Sequence, residues 1–119
     1  LTPRRMEELE TELRELDETH GPLPRLGLVH TPETYPLANR LGCQLALAGH
    51  SHGGQIRLPL LGTTIAACDA PLQYVYGVSK MNGMTTFTSN GLGVFFPFRF
   101  LCPPQIIEIE LLPSPTGTS

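Results

Sequence analysis

Residues 45–56 read Leu45-Ala46-Leu47-Ala48-Gly49-His50-Ser51-His52-Gly53-Gly54-Gln55-Ile56. The first four are small and apolar, which is typical of a short buried strand, and two histidines then follow one residue apart among glycines. Open α/β sheets place their sites at the carboxyl ends of strands, and glycines allow the backbone to turn so that both imidazoles face one cavity. This stretch therefore predicts a β-strand that delivers a functional site.

A second strand that ends in a histidine precedes this one. Residues 26–29 are apolar and lead to His30, and residues 33–41 predict a short helix before the chain reaches the His50 strand. A strand, a helix and a second strand predict a parallel pair with a right-handed crossover. His30, His50 and His52 are therefore expected at the same edge of the sheet.

The flanking sequence predicts further short elements. Thr2-Pro3 reads as a helix start, apolar residues then recur at helical spacing, and Gly21 ends the helix. Residues 57–76 and Thr85–Thr88 predict short strands. The alternation of apolar and acidic residues in Gln105–Leu111 predicts a final strand with one buried face.

The composition bounds the class of protein. The 119 residues are 40% hydrophobic and 16% charged, as in globular chains. Of the eleven acidic residues, seven lie in the first helix, and no basic run is interleaved with aromatics, so nothing indicates nucleic-acid binding. Three widely spaced cysteines suggest neither a disulfide framework nor a thiolate zinc site. No apolar run is long enough to span a bilayer, and the first residues lack a signal-peptide layout.

Two chemistries compete for the histidine stretch. Gly49-His50-Ser51-His52-Gly53 matches Gly-x-Ser-x-Gly, the pattern of a serine hydrolase nucleophile. That mechanism needs a helix after the serine and a histidine further along, yet no histidine follows His52 and Pro59 disfavours the helix. The alternative is a metal site on His30, His50 and His52, because neutral imidazole is a common metal ligand. Three histidines could also hold a single zinc ion in a non-catalytic binding module.

The residues that follow the strands carry a resemblance to a known family. The chain is similar to the C-terminal half of calcineurin-like metallophosphoesterases, and within them to the bacterial YkuE-like phosphohydrolases. The resemblance covers nearly the whole chain from about Arg25, and the Gly-His-x-His-Gly-Gly-Gln segment is its most specific part. The matching segments are Leu28-Val29-His30-Thr31-Pro32, residues 45–59, Ser89-Asn90-Gly91-Leu92-Gly93, Pro97-Phe98-Arg99-Phe100 and Pro103-Pro104.

The resemblance implies a fold, a metal centre and a reaction. The implied fold is α/β, here the C-terminal half of an α/β/β/α sandwich in which short, mainly antiparallel strands follow the parallel unit. The implied ligands are His30 and His50 for one divalent ion and His52 for a second, the ions being Mn, Fe or Zn. Two such metal ions bind a phosphate ester together and activate water for its hydrolysis. Asn90 and Arg99 are candidates for contact with that substrate.

The sequence departs from the family pattern in what it lacks. The family's Asp-x-His, Gly-Asp and Gly-Asn-His-Asp/Glu motifs do not occur, and Glu33 and Asp69 are the only carboxylates between Thr19 and Ile107. A dinuclear site needs carboxylates to offset the charge of its ions. We therefore expect residues 1–112 to be a partial domain whose partner is the missing N-terminal half, which also holds the general acid. Residues 113–119 are expected to form a disordered tail.

The isolated chain is accordingly expected to bind metal weakly and to hydrolyse phosphoesters negligibly. The resemblance is compatible with a bacterial-type protein in the cytoplasm or at the cell envelope, and it leaves membrane association of a longer protein open.

Overall fold

The computed structural model describes residues 2–61, 63–65, 68–94 and 97–113. Within these ranges the chain forms helices α1 (Pro3–His20) and α2 (Tyr35–Arg40) and six short strands. The strands are β1 (Leu26–Leu28), β2 (Leu45–Ala48), β3 (Ile56–Leu58), β4 (Thr63–Ile65), β5 (Gly77–Met81) and β6 (Met84–Thr88). The mixture of helices and mainly short strands confirms an α/β protein.

Helix α1 begins and ends where the sequence predicts. The Thr2 hydroxyl accepts a hydrogen bond from the Arg5 amide, and Pro3 occupies the first turn. Gly21 ends the helix at a φ of 80°, a conformation that glycine adopts without steric strain. Met6 is the one residue of the helix that is buried, so α1 lies on the fold with most of its surface in solvent.

The predicted strand, helix and strand form the centre of the fold. β1 and β2 pair in parallel with Leu26 opposite Leu45, and α2 connects them after a 3₁₀ turn at Pro32–Thr34. The core lies between α2 and the sheet, where Tyr35 and Ala38 pack with Ala46 and Met84. This prediction is confirmed, and it brings the ends of β1 and β2 to the same edge.

Two further strands complete a four-stranded sheet of order β1-β2-β6-β5. β6 contains the predicted Thr85–Thr88 strand and pairs in parallel with β2, whereas β5 and β6 form an antiparallel hairpin. The hairpin turns at Asn82 and Gly83, both at positive φ, as a tight turn requires. The sequence did not predict β5, which starts after the stretch assigned to short strands.

The predictions for the remaining strands were partly wrong. In residues 57–76, β3 and β4 pair antiparallel, but Leu72–Tyr74 forms a 3₁₀ turn rather than a strand. Gln105–Leu111 is not a strand, and Ile109 and Leu111, which belong to the face expected to be buried, are exposed. Alternation makes a segment compatible with a sheet, but a strand forms only where a neighbour supplies hydrogen bonds, and the described sheet supplies none to this segment.

The predicted tail falls largely on residues 114–119, which lie outside the described part of the chain. Among the described residues, no helix has both the length and the apolar character needed to cross a membrane.

Candidate metal centre

His30 and His50 come together at the carboxyl ends of β1 and β2. Their ring centroids are 4.7 Å apart and the ring planes are inclined by 49°. The backbones are also joined there, because the Gly49 amide donates to the His30 carbonyl at 3.3 Å. Both histidines are exposed, so a pair of neighbouring imidazoles faces solvent at this edge.

His50 and His52 both have backbones in the left-handed region, at φ values of 63° and 49°. Residues other than glycine seldom adopt this region because the Cβ atom meets the backbone, and such conformations concentrate at functional sites. The glycines that follow continue the turn, with Gly53 at 63° and Gly54 at 71°. The chain thus reverses tightly around the two histidines.

His52 does not join the other two rings in one ligand group. Its Cε1 atom lies near Gly93, where an added Cβ would come within 3.4 Å of it. In the described ranges, no set of three or more His, Cys, Asp or Glu side chains is arranged to hold a metal ion. The structure therefore brings His30 and His50 together, and His52 does not join them as the third member of one ligand group among the described residues.

Ser51 is fully buried between the two histidines of the motif. Its hydroxyl donates to the Val75 carbonyl at 2.6 Å and accepts from the Gly53 amide at 3.2 Å. A 3₁₀ turn, not a helix, follows at His52–Gly54. A nucleophile must reach substrate, so this geometry favours a structural role for Ser51 and gives no support to serine hydrolase chemistry.

The remaining residues of the motif attach the turn to the strands behind it. A Cβ at Gly54 would overlap the Thr64 hydroxyl, which donates to the Gly54 carbonyl at 2.5 Å. Gln55 is buried, and its side-chain amide donates to the Phe98 carbonyl at 2.8 Å. The small and buried residues of the motif therefore serve close packing as much as chemistry.

Asn90 and Arg99, the candidates for substrate contact, lie behind the His52 turn. The Asn90 side chain accepts from Arg57 and donates to the Pro103 carbonyl. Arg99 donates to backbone carbonyls, among them those of His52 and Cys102. Arg57, which sequence reasoning did not select, is part of the same network.

Glu33 is a second residue near the site that sequence reasoning did not select. Glu33 is exposed, and its slight desolvation disfavours the ionised carboxylate. Hydrogen bonds from the Glu33 and Asp69 amides and from the Thr31 side chain favour the ionised form, as does the charge of His50. Together they hold the pKa of Glu33 below its ordinary value of 4.5. The Asp69 amide donates a hydrogen bond to Glu33 Oε1 at 2.7 Å. The position of Glu33, three residues after His30, is the feature of the sequence that could have identified it.

The sequence is similar to those of several known proteins. The chain is 34% identical over 90 residues to phosphodiesterase YaeI of Escherichia coli, which covers 76% of this chain and 33% of YaeI. It is 35% identical over 85 residues to the uncharacterized metallophosphoesterase YkuE of Bacillus subtilis, covering 71% of this chain and 29% of YkuE. An uncharacterized metallophosphoesterase of Helicobacter pylori is 34% identical over 93 residues, covering 76% of this chain and 24% of that protein.

The chain thus spans about a third or less of the length of these relatives. No family model matches the sequence, and no solved structure matches it.

Proposed function

This chain is a homologue of the metallophosphoesterases over about three quarters of its length, and from this premise we propose that it supplies part of the metal centre of a phosphoester hydrolase. His30 and His50 bind one divalent ion in this proposal, and His52 binds a second. The observation that carries it is the 4.7 Å separation of the His30 and His50 ring centroids. Neighbouring imidazoles at the ends of parallel strands are suited to share an ion.

The donor set fits divalent transition metals in part. Imidazole nitrogen suits Zn, Fe and Mn, and both rings of the pair are accessible from solvent. Bound ions would polarise the phosphate ester and lower the pKa of water. The described residues bring no third ligand to the pair. The carboxylates of a dinuclear centre, and the general acid, would therefore come from residues outside this sequence.

The substrate in this proposal is a phosphodiester or phosphomonoester, and the partner is the remainder of the metallophosphoesterase domain. The chain's own residues hold the ligands: the β1–β2 pairing sets the distance between His30 and His50, and the turn after β2 sets the place of His52. The four-stranded sheet would form part of the family sandwich. By itself the chain binds metal weakly and turns over little substrate.

Zinc titration of the full 119-residue chain tests the ligand assignment. The His30 and His50 ring resonances should shift together in the NMR spectrum as Zn²⁺ is added, and His50→Ala should abolish the response of His30. His20→Ala is the matched control, because His20 is an exposed histidine at the end of α1. Absence of any shift at His30 and His50, or an equal loss in the control, would contradict the assignment.

A chimera tests the hydrolase assignment. In it, this chain replaces the matching segment of E. coli phosphodiesterase YaeI, and hydrolysis of bis(p-nitrophenyl) phosphate is measured. We expect activity that His50→Ala removes and His20→Ala retains, while the isolated chain stays near background. A folded chimera that binds zinc without turnover would favour the alternative, a non-catalytic metal-binding module. Full activity of the isolated chain would contradict the partial-domain proposal.

A further inference from the structure

In the left-handed turn at His52 and Gly53, side chains donate hydrogen bonds to the two backbone carbonyls. The His52 carbonyl accepts from Arg99 Nη1 at 3.4 Å and from the Cys102 thiol at 3.1 Å. The Gly53 carbonyl accepts from Arg57 Nε at 2.8 Å and from the same thiol at 3.4 Å. Two successive carbonyls of a strained backbone are thus bound by two guanidinium groups and a buried cysteine.

Asn90 links the two guanidinium groups. Its side-chain oxygen accepts from Arg57 Nη2 at 2.5 Å, and its backbone carbonyl accepts from Arg99 Nη2 at 3.0 Å. Asn90 is itself buried, and its amide nitrogen donates to the Pro103 carbonyl at 3.1 Å. The three side chains therefore form one connected network rather than separate contacts.

Each arginine is also fixed on its other side. The Arg57 guanidinium carbon lies 3.7 Å from the centroid of the Tyr76 ring, a cation–π contact. Arg99 donates further to the carbonyls of Gly91 and Gly93. Each guanidinium therefore has contacts beyond the turn as well as with it.

We propose that Arg57 and Arg99 are positioning residues that hold the His52 backbone in the left-handed region and so fix the direction of its imidazole. The proposal rests on the proposed role of His52 as a metal ligand. Arginine suits this task because its planar fork makes several hydrogen bonds at fixed angles, whereas lysine is a point charge on a flexible stem. Arg57 binds the Gly53 carbonyl and Asn90 at once, which one ammonium group could not do in the same geometry.

The test compares Arg57→Lys and Arg99→Lys with Arg40→Lys in the full chain. Arg40 is a matched control, since its Nε atom also bonds an oxygen, Glu10 Oε1 at 2.9 Å, but on the exposed side of α2. The first readout needs no metal: backbone ¹³C chemical shifts of residues 52 and 53 report whether φ is positive. Both network variants should lose the left-handed signature while the shifts of β2 and β6 stay unchanged, and the control should retain it.

The second readout is the Zn²⁺ titration followed at each histidine ring. The midpoint for His52 should rise tenfold or more in the two network variants, while the midpoints for His30 and His50 change less than twofold. A left-handed His52 backbone that persists in both lysine variants, or equal changes at all three histidines, would overturn the proposal. If a lysine variant does not fold, Asn90→Ala takes its place, because it removes the link to Arg57 and should give a smaller change in the same direction.

The two readouts separate this inference from the function on which it rests. A wild-type chain in which zinc shifts no histidine ring would contradict the metal-site proposal, whereas the metal-free backbone shifts would still decide whether the arginines hold the turn.

Discussion

The imidazole rings of His30 and His50 lie 4.7 Å apart although a whole helix separates the residues in sequence. The pairing of Leu28 with Leu47 in the parallel β1–β2 ladder fixes this relationship. A shift of one residue in that register would send the following side chains to opposite faces. The contact is therefore a property of the fold and not only of the loops that carry the histidines.

Gly54→Ala is expected to destabilise the chain by about 3 kcal/mol, because the new Cβ would be strained at a φ of 71° and would overlap the Thr64 hydroxyl. Gly83→Ala is the matched control: its φ is also positive, at 87°, but nothing lies within 4 Å of the added carbon. The Gly83→Ala substitution should lower the free energy of unfolding by roughly 1 kcal/mol. Urea unfolding measures both, and equal losses would contradict the packing argument.

Local patterns in the sequence predicted the parts of the fold that depend on neighbouring residues. The cap at Thr2, the stop at Gly21 and the strand–helix–strand unit before His50 all follow from short-range rules. The pairing of His30 with His50 followed in turn, because parallel strands end at one edge.

The predictions failed where the outcome depends on distant residues. Gln105–Leu111 has the alternation of a strand but no pairing partner in the described sheet. Arg57 and Arg99 are ordinary basic residues in sequence, and their role becomes visible only when the fold brings them to the carbonyls of residues 52 and 53. Substrate contact by Asn90 and Arg99 stays a prediction.

Ser51→Ala is expected to lower the free energy of unfolding by about 1–3 kcal/mol, because the buried Val75 carbonyl would lose its donor. Catalysis is a separate readout. In the active chimera, this variant should retain bis(p-nitrophenyl) phosphate hydrolysis at temperatures where it is folded. A complete loss of turnover with unchanged stability would instead support a nucleophilic serine.

Arg25→Gln is expected to release α1 from the rest of the fold. The Arg25 guanidinium bonds Asp17 on α1 at 2.5 Å and the Leu41 carbonyl at the end of α2 at 2.8 Å. Hydrogen exchange in α1 should therefore accelerate, with a loss of about 1–2 kcal/mol in protection, while exchange in β2 and β6 changes little.

Arg4→Gln is the control variant for the faster hydrogen exchange expected in α1 of Arg25→Gln. Arg4 pairs with Glu8 within α1, but its side chain is 89% exposed, so its loss should cost at most about 0.5 kcal/mol. Equal exchange rates in α1 for the two variants would show that Arg25 does not anchor the helix.

Glu33→Gln is expected to destabilise the chain at neutral pH and to have a decreasing effect as the pH falls below about 4.5. The folded state lowers the pKa of Glu33 below 4.5, so it favours the carboxylate. That contribution is present above about pH 4.5 and is lost as the pH falls through the lower, folded pKa. The side chain is exposed, which limits the difference at pH 7 to roughly 0.5 kcal/mol.

Urea unfolding of Glu33→Gln and of the wild type across this pH range measures the difference. The glutamine oxygen can still accept from the Asp69 amide, so the substitution removes the charge and retains the acceptor. High salt should shrink the difference further, since part of it comes from attraction to His50. A difference in the free energy of unfolding that widens as the pH falls below about 4.5 would have the wrong sign for a lowered pKa and would contradict the assigned environment of Glu33.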